Sequence, residues 1–199
     1  MTTVLKTDDL RKQFGELTAV DNVSIEIDDD KITSIIGPNG AGKTTFYNLL
    51  TGVLQPTGGS IWLRSGDQNE LTDVTDAEPH EVAQAGLSRS YQITNIFEGL
   101  TVRENVRVAR ISHEGTRLDF RSRATGDESV EADIEEILEL TGLTDIADTP
   151  CDTLSHGEKR TVEIALALAI EPNVFLMDEP TAGMNPTEVT EIVSLIREL

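Results

Sequence analysis

The sequence predicts an α/β domain, and three observations carry that expectation. The stretch "IIGPNGAGKTTF", Ile35 to Phe46, places a glycine-rich loop between a β-branched apolar run and the start of a helix. Further on, "VFLMDEP" is a short apolar run that ends in two carboxylates, the pattern of a buried parallel strand delivering ligands at its end. Strand signals crowd the N-terminal third, and helix signals dominate from Thr101 to Leu143.

In chain order, "TTVLK" and "VSIEID" are short, β-branched and bounded by turn signals, so both read as strands. "KITSII", residues 31–36, reads as the strand leading into the glycine loop, and "SIWLR" as a further strand after the turn "QPTGGS". Gly66 to Pro79 is polar and loop-like. "PHEVAQAG" then reads as a short helix with Pro79 in its first turn and Gly86 at its end. Ile134, Ile137 and Leu138 form one apolar helix face that Gly142 closes as a C-cap. "SHEGTRLDFRSRATGDES" is a polar connection whose arginines read as a solvated face. The last helix starts at Asn185 as cap, Pro186 at its first position and Glu188 three on from the cap. Val189, Ile192, Val193, Ile196 and Leu199 make its apolar stripe.

Gly37, Gly40, Gly42, Lys43 and Thr44 fit the spacing G-x-x-x-x-G-K-[ST]. Glycines let the backbone turn tightly and bring its N–H groups against phosphate oxygens. The helix that begins near Lys43 adds unpaired N–H groups and the positive end of its dipole. Gly37, Pro38, Asn39, Gly40, Ala41, Gly42, Lys43, Thr44 and Thr45 are therefore expected to hold a nucleoside triphosphate. Lys43 would reach the β- and γ-phosphates, and the Thr44 hydroxyl would sit on Mg²⁺.

Composition narrows the partners. The 199 residues suffice for one domain with a substantial core. Thirty-six acidic residues against sixteen basic give a net charge of -20, which disfavours nonspecific binding to nucleic acid or to anionic membranes. The acidity is dispersed, as in "IDDDK" and "GDESVEADIEE", which points to a halophilic surface kept soluble in salt, with ordinary acidity as the alternative. Cys151 is the only cysteine, so no disulfide framework exists and a reducing compartment is expected. The N-terminus lacks the apolar core of a signal peptide, and no apolar run approaches the ~20 residues that span a bilayer. The chain reads as soluble and cytoplasmic.

Asp178 at the end of "VFLMD" is placed to hold Mg²⁺ through water opposite Thr44, and Glu179 beside it to act as general base on the attacking water. Before that strand, "LSHGEKR" opens a helix with Ser155 and Glu158 as an S-x-x-E capping box. That box explains the residues structurally, and a helix N-terminus carrying Ser and Gly is also a place for a γ-phosphate.

Phosphate loop, "SYQ", "LSHGEKR" and "FLMDEP", in this order, resemble the nucleotide-binding domain of an ATP-binding-cassette protein along essentially the whole chain. The resemblance implies a RecA-like P-loop core with a mainly parallel sheet and an N-terminal antiparallel β subdomain. It also implies an α-helical subdomain, about 95–160, that carries the signature motif. It further implies a head-to-tail dimer of two cassettes with two sandwiched ATP molecules, in which Ser155, Gly157 and Glu158 of one copy meet the ATP of the other. His156 and Glu158 stand where the commonest signature has Gly and Gln. Gln92 matches the glutamine that bridges Mg²⁺ and the transmembrane partner, and Phe14 the aromatic that stacks on adenine, with core packing as its alternative. Asn185 replaces the usual Asp after "TAGM", which weakens the expected coupling between the two sites.

"PHEVAQAGLSRSYQITNIFEGLTVRENVRVA" is similar to branched-chain amino-acid importer ATPases, and urea importers and the lipopolysaccharide-export ATPase share parts of it. The implied partners are a second cassette, identical or paralogous, permease subunits and, indirectly, a solute-binding protein, with no nucleic acid. The implied place is the cytoplasmic face of the membrane. Within the resemblance, the family's last strand and its histidine are not found, since the chain has only His80, His113 and His156; residues 1–199 therefore read as one domain that is C-terminally incomplete, with impaired turnover. A soluble cassette ATPase working on ribosomes or DNA ends is the rival reading. It usually carries two cassettes or a coiled-coil insertion, neither of which is present, and the negative charge also opposes it. A nucleotide-binding regulator is the third.

Overall fold

Two twelve-residue strands, β1 (Thr3–Phe14) and β2 (Leu17–Asp28), open the chain as an antiparallel hairpin. The computed structural model describes residues 2–29, 31–64, 70–90, 96–114, 128–178 and 185–198. They fall into two units: residues 1–89 with 172–176, and residues 90–171 with 177–199.

In the first unit β3 (Gly58–Arg64) and β4 (Leu71–Asp73) extend the hairpin to a four-stranded antiparallel sheet in the order β2-β1-β3-β4. Its inner face carries Leu5, Leu10, Ile61 and Leu63. The bulge in β1 turns at Asp9, whose φ is 47°, and its amide donates to Ser24 Oγ at 2.8 Å. Thr7, fully buried beside the bulge, donates to the Val23 carbonyl at 2.9 Å and accepts from the Ile25 amide at 3.2 Å, so it costs no unsatisfied polar group.

Helix α1 (Lys43–Leu50) lays Phe46, Leu49 and Leu50, spaced i, i+3, i+4, onto the same core. Helix α2 (Pro79–Gln84) adds Val82; Pro79 occupies its first turn and Gly86 follows its end, as the sequence predicts. β5 (Leu87–Ser90) pairs with β6 (Val174–Met177) as a two-stranded parallel sheet, with the Val174 amide donating to the Gly86 carbonyl at 3.0 Å. Leu87, Val174 and Leu176 join the core.

Two expectations are corrected here. β4 lies inside the stretch expected to be loop, because three half-exposed residues pairing with Trp62, Leu63 and Arg64 leave no period-two signal. "KITSII" belongs to no strand: residues 31–38 are without regular structure, and Ile32 and Ile36 are 65% and 91% exposed. Only Ile35 packs on the core. β-branched composition supplies propensity, but a strand exists through its ladder, and among the described residues nothing pairs with this one.

The second unit is helical: α3 (Val102–Glu114), α4 (Glu128–Leu140), α5 (His156–Leu168) and α6 (Pro186–Glu198). Val102 and Val106 of α3, Ile134 and Leu138 of α4, and Val162 and Ala165 of α5 share one core with the buried Cys151. Arg107 grips Glu131 with two bonds, at 3.0 and 2.6 Å, and Arg110 meets Asp133 at 2.7 Å, so charged pairs edge the α3–α4 seam. Gly142 ends α4 with the Leu143 amide donating back to the Leu138 carbonyl at 2.8 Å, the expected C-cap.

Asn185 caps α6, accepting from the Thr187 amide at 2.9 Å. Its buried side chains are Ile192 and Leu195, whereas Val193, expected in the stripe, is 37% exposed. Val193 lies about 100° around the helix from Ile192, so a face centred between Ile192 and Leu195 leaves it outside. Leu199 lies outside the described residues.

Candidate functional site

The loop from Gly37 to Gly42 is exposed apart from the half-buried Gly42, and it closes directly onto the first turn of α1. Gly42 is the N-cap at φ 88°, and a Cβ there would stand 2.2 Å from the Ala19 carbonyl oxygen of β2. Any side chain at 42 would therefore push the loop off the sheet, which makes this glycine obligatory on steric and backbone grounds. The first intrahelical bond runs from the Phe46 amide to the Gly42 carbonyl at 2.8 Å. The amides of Lys43, Thr44 and Thr45 precede it and have no intrahelical acceptor. Lys43 folds back over the loop, donating to the carbonyls of Gly37 at 2.6 Å and Pro38 at 3.0 Å. An ammonium, three helix-start amides and a bare-glycine backbone thus lie together in one exposed loop, a donor set of the kind that binds a polyphosphate.

Beside the loop, a cavity of about 250 Å³ is lined by Val20, Asp21, Ile36, Gly42 and Phe46, among others. Phe14, at the end of β1, is 47% exposed with the Lys12 ammonium 5.2 Å from its ring centre. The core-packing alternative for Phe14 is thereby excluded, and its ring is available for stacking, although it does not line that cavity.

Ser155 is the N-cap of α5 and completes the expected capping box. Its hydroxyl accepts from the Glu158 amide at 3.2 Å, and the Glu158 carboxylate accepts from the Ser155 amide at 2.7 Å. Hydrogen bonds from the Ser155 side chain and then its amide hold the Glu158 carboxyl below its usual range. Because the folded pKa is depressed, this contribution is full above the ordinary glutamate range and is lost as the pH falls through the folded value. Ser155→Ala is expected to cost about 1 kcal/mol at neutral pH. Thermal melts of both proteins should show that gap narrowing once the pH is below the ordinary glutamate range, about 4.

Ser155, Gly157 and Glu158 line a second cavity, of about 560 Å³, together with Asn185 and Thr187 at the start of α6. Gly157 itself is buried. The signature residues and the capping asparagine thus share one hollow of the helical unit.

Asp178 directly follows β6 and is half-buried, and its carbonyl accepts from Arg160 Nη2 at 3.3 Å. Sequence reading passed over Arg160; the signal available was its i,i+3 spacing to Glu163 in "EKRTVE". Glu179 and Gln92 lie outside the described residues. Each by itself, the exposed Thr44 hydroxyl of the first unit and the half-buried Asp178 carboxylate of the second offer a hard oxygen of the class Mg²⁺ takes. Among the described residues no three His, Cys, Asp or Glu side chains gather into a group that could hold a metal ion. Also among the described residues, no helix is long and apolar enough to cross a membrane.

Comparison with known proteins gives the same outline. Residues 20–182 match the ABC transporter family. The chain is 36% identical, over 98% of its length and 76% of the relative's, to the high-affinity branched-chain amino acid transport ATP-binding protein BraF of Pseudomonas aeruginosa. It is 38% identical, with the same two coverages, to the corresponding protein LivG of Escherichia coli. Among solved structures, the ADP conformation of an ATP-binding cassette of an ABC transporter superposes with a TM-score of 0.81, 31% identity and coverage of 100% of this chain and 77% of that one. A dimeric cassette in a post-hydrolysis state, bound to ADP and Pi, gives 0.70 at 28% identity, covering 96% of this chain and 81% of that one.

Proposed function

The chain belongs to the ABC transporter family, and from that membership we propose that it is the ATP-hydrolysing subunit of an importer for branched-chain amino acids. The observation that carries the ATP site is the loop Gly37–Thr45, clamped by Gly42 on β2 and crossed by Lys43. The likeness to branched-chain transport ATP-binding proteins along nearly the whole chain supports the solute class.

In this reading Phe14 stacks on adenine, and the amides of the loop and of the start of α1 bind the β- and γ-phosphates. Lys43 leaves the Gly37 and Pro38 carbonyls partly or wholly to face phosphate oxygens. Thr44, Asp178 and Gln92 hold Mg²⁺, which when bound neutralises charge on the phosphates. Glu179 accepts the proton of the water that attacks the γ-phosphorus. Ser155, Gly157 and Glu158 serve the ATP of a second cassette in a head-to-tail dimer, an arrangement to which the dimeric solved relative lends support. The helical stretch at about 95–160, with Gln92 before it, transmits dimer closure to permease subunits at the cytoplasmic membrane face. Hydrolysis then resets the switch.

The test is coupling. Membranes in which this chain is assembled with permease subunits of a branched-chain amino-acid importer should hydrolyse ATP slowly, and faster when binding protein loaded with leucine is added. Stimulation by another solute but not by leucine, isoleucine or valine would remove the branched-chain reading.

The net charge of -20 supports a surface adapted to salt. Carboxylates repel one another at low ionic strength, and screening relieves that repulsion. The melting temperature should therefore climb steadily as KCl is raised toward molar concentrations. A melting temperature that is flat or highest in dilute buffer would contradict it.

A further inference from the structure

We propose that Lys12 is a positioning residue for base recognition, holding the Phe14 ring in the orientation that takes adenine. The inference rests on reading Phe14 as the adenine-stacking side chain. Lys12 and Phe14 stand two apart near the end of β1, and the Lys12 ammonium lies over the Phe14 ring, 5.2 Å from its centre. The same ammonium donates to the main-chain carbonyl of Gln55, in the loop that follows α1. Strand and loop are pinned together beside it. The Thr57 amide donates to the Arg11 carbonyl at 2.8 Å, and the Gln13 amide donates to Thr57 Oγ1 at 3.2 Å. The end of β1 and this loop thus form one frame, and Lys12 extends that frame to the ring.

A ring that is 47% exposed at the end of a hairpin lacks the close packing that fixes a core phenylalanine. A base that stacks on it must order it, and ordering a free side chain weakens binding. An ammonium anchored on a backbone carbonyl does that ordering beforehand, because it attracts the negative face of the ring while Gln55 keeps it in place. One face of the ring is occupied in this way, and the opposite face is left for the purine. The cation also draws π density toward itself, so the free face is less negative and better matched to an electron-rich base. Ammonium, phenyl and purine then stack as three layers. Helix α1 carries the phosphate loop at its start and leads into the Gln55 loop after its end, so base and phosphates are referenced to one element.

The experiment measures binding by calorimetric titration, with Mg-ATP and with inorganic tripolyphosphate, at about 0.15 M salt, where charges more than ~8 Å apart are screened. Wild type is compared with Lys12→Met, Lys12→Arg, Phe14→Leu and the double variant Lys12→Met/Phe14→Leu, each checked by a thermal melt. Lys12→Met keeps the length of the side chain and removes the cation. It should weaken ATP about two- to fivefold, the scale of an exposed cation–π contact, and leave tripolyphosphate affinity unchanged. Lys12→Arg, which also stacks on an aromatic face, should stay within about twofold of wild type. Phe14→Leu should weaken ATP by about fivefold or more. In that background Lys12→Met should have no further effect, since a cation that acts through the ring has nothing left to hold. A purely structural Lys12 would lower the melting temperature and leave ATP affinity per folded molecule at its wild-type value, and that result overturns the proposal. So does a loss in Lys12→Met that is equal for tripolyphosphate or persists in Phe14→Leu, because Lys12 then acts on the phosphates directly. Tighter ATP binding by Lys12→Met overturns it too, since the ammonium would then be shielding the ring. If Phe14→Leu weakens ATP and Lys12→Met does not, the positioning role alone fails; if Phe14→Leu binds ATP like wild type, the stacking reading fails and the role of Lys12 falls with it.

Discussion

Lys43→Ala is expected to abolish Mg-ATP binding, with affinity at least about 100-fold weaker, while the domain stays folded. The side chain folds back onto the loop, to the Gly37 and Pro38 carbonyls, so its ammonium already lies at the loop expected to hold the phosphates. A charge-assisted contact to each of two phosphate groups is worth about 1.5–3 kcal/mol, and alanine removes both. The loop itself should tolerate the change. Both carbonyls are exposed, so water replaces the lost donor and stability should move by roughly 0.5 kcal/mol or less. Calorimetric titration with ATP and a thermal melt separate the two effects. A folded variant with undiminished affinity would place the nucleotide elsewhere.

Glu179→Gln is expected to leave ATP binding intact and to cut phosphate release by about 10²–10⁴-fold, because an amide cannot accept the proton of the attacking water. Binding is expected to survive because the phosphates are held by the loop and by Lys43, which the substitution does not touch. Nucleotide affinity and single-turnover phosphate release, measured on the same preparation, check it. Release at the normal rate would show that another group takes the proton.

What the sequence disclosed and what it hid differ in range. The loop Gly37–Thr45, the Ser155–Glu158 box, Pro79 in the first turn of α2 and the Asn185 cap are local chemistry. Each is written within a few residues, and the structure has each where it was expected. "VFLM" was recognisable as β6 because a short apolar run before two carboxylates has few other uses. Pairing was less accessible. "KITSII" has the composition of a strand, yet Ile32 and Ile36 face solvent, because a ladder partner cannot be read from one segment. β4 was invisible for the opposite reason, since its three residues owe their strand to β3. On α6 the expected stripe includes Val193 and omits Leu195, whereas Leu195 is buried and Val193 exposed, because which side of the stripe the neighbours cover is not written in the helix itself. Arg160 was missed because its partner carbonyl is eighteen residues away along the chain, and only folding brings it near. The motif asks for Gly42 because of its turn, whereas the Ala19 carbonyl of β2, which a Cβ at 42 would strike, is a second and independent reason for a glycine.

Hydrogen exchange along the loop tests most directly whether the amides at 37–45 hold the polyphosphate of ATP. Exchange of the peptide covering these residues is measured alone, with Mg-ATP, with ATP and a chelator, and with adenosine. Residues Gly40 to Thr45 should become protected with Mg-ATP and, less strongly, with ATP alone, because phosphate oxygens then accept their N–H groups. Adenosine, which has no phosphate, should leave them unchanged. Equal protection by adenosine, or protection that appears elsewhere while 37–45 exchanges as before, would contradict the assignment of this loop as the phosphate site.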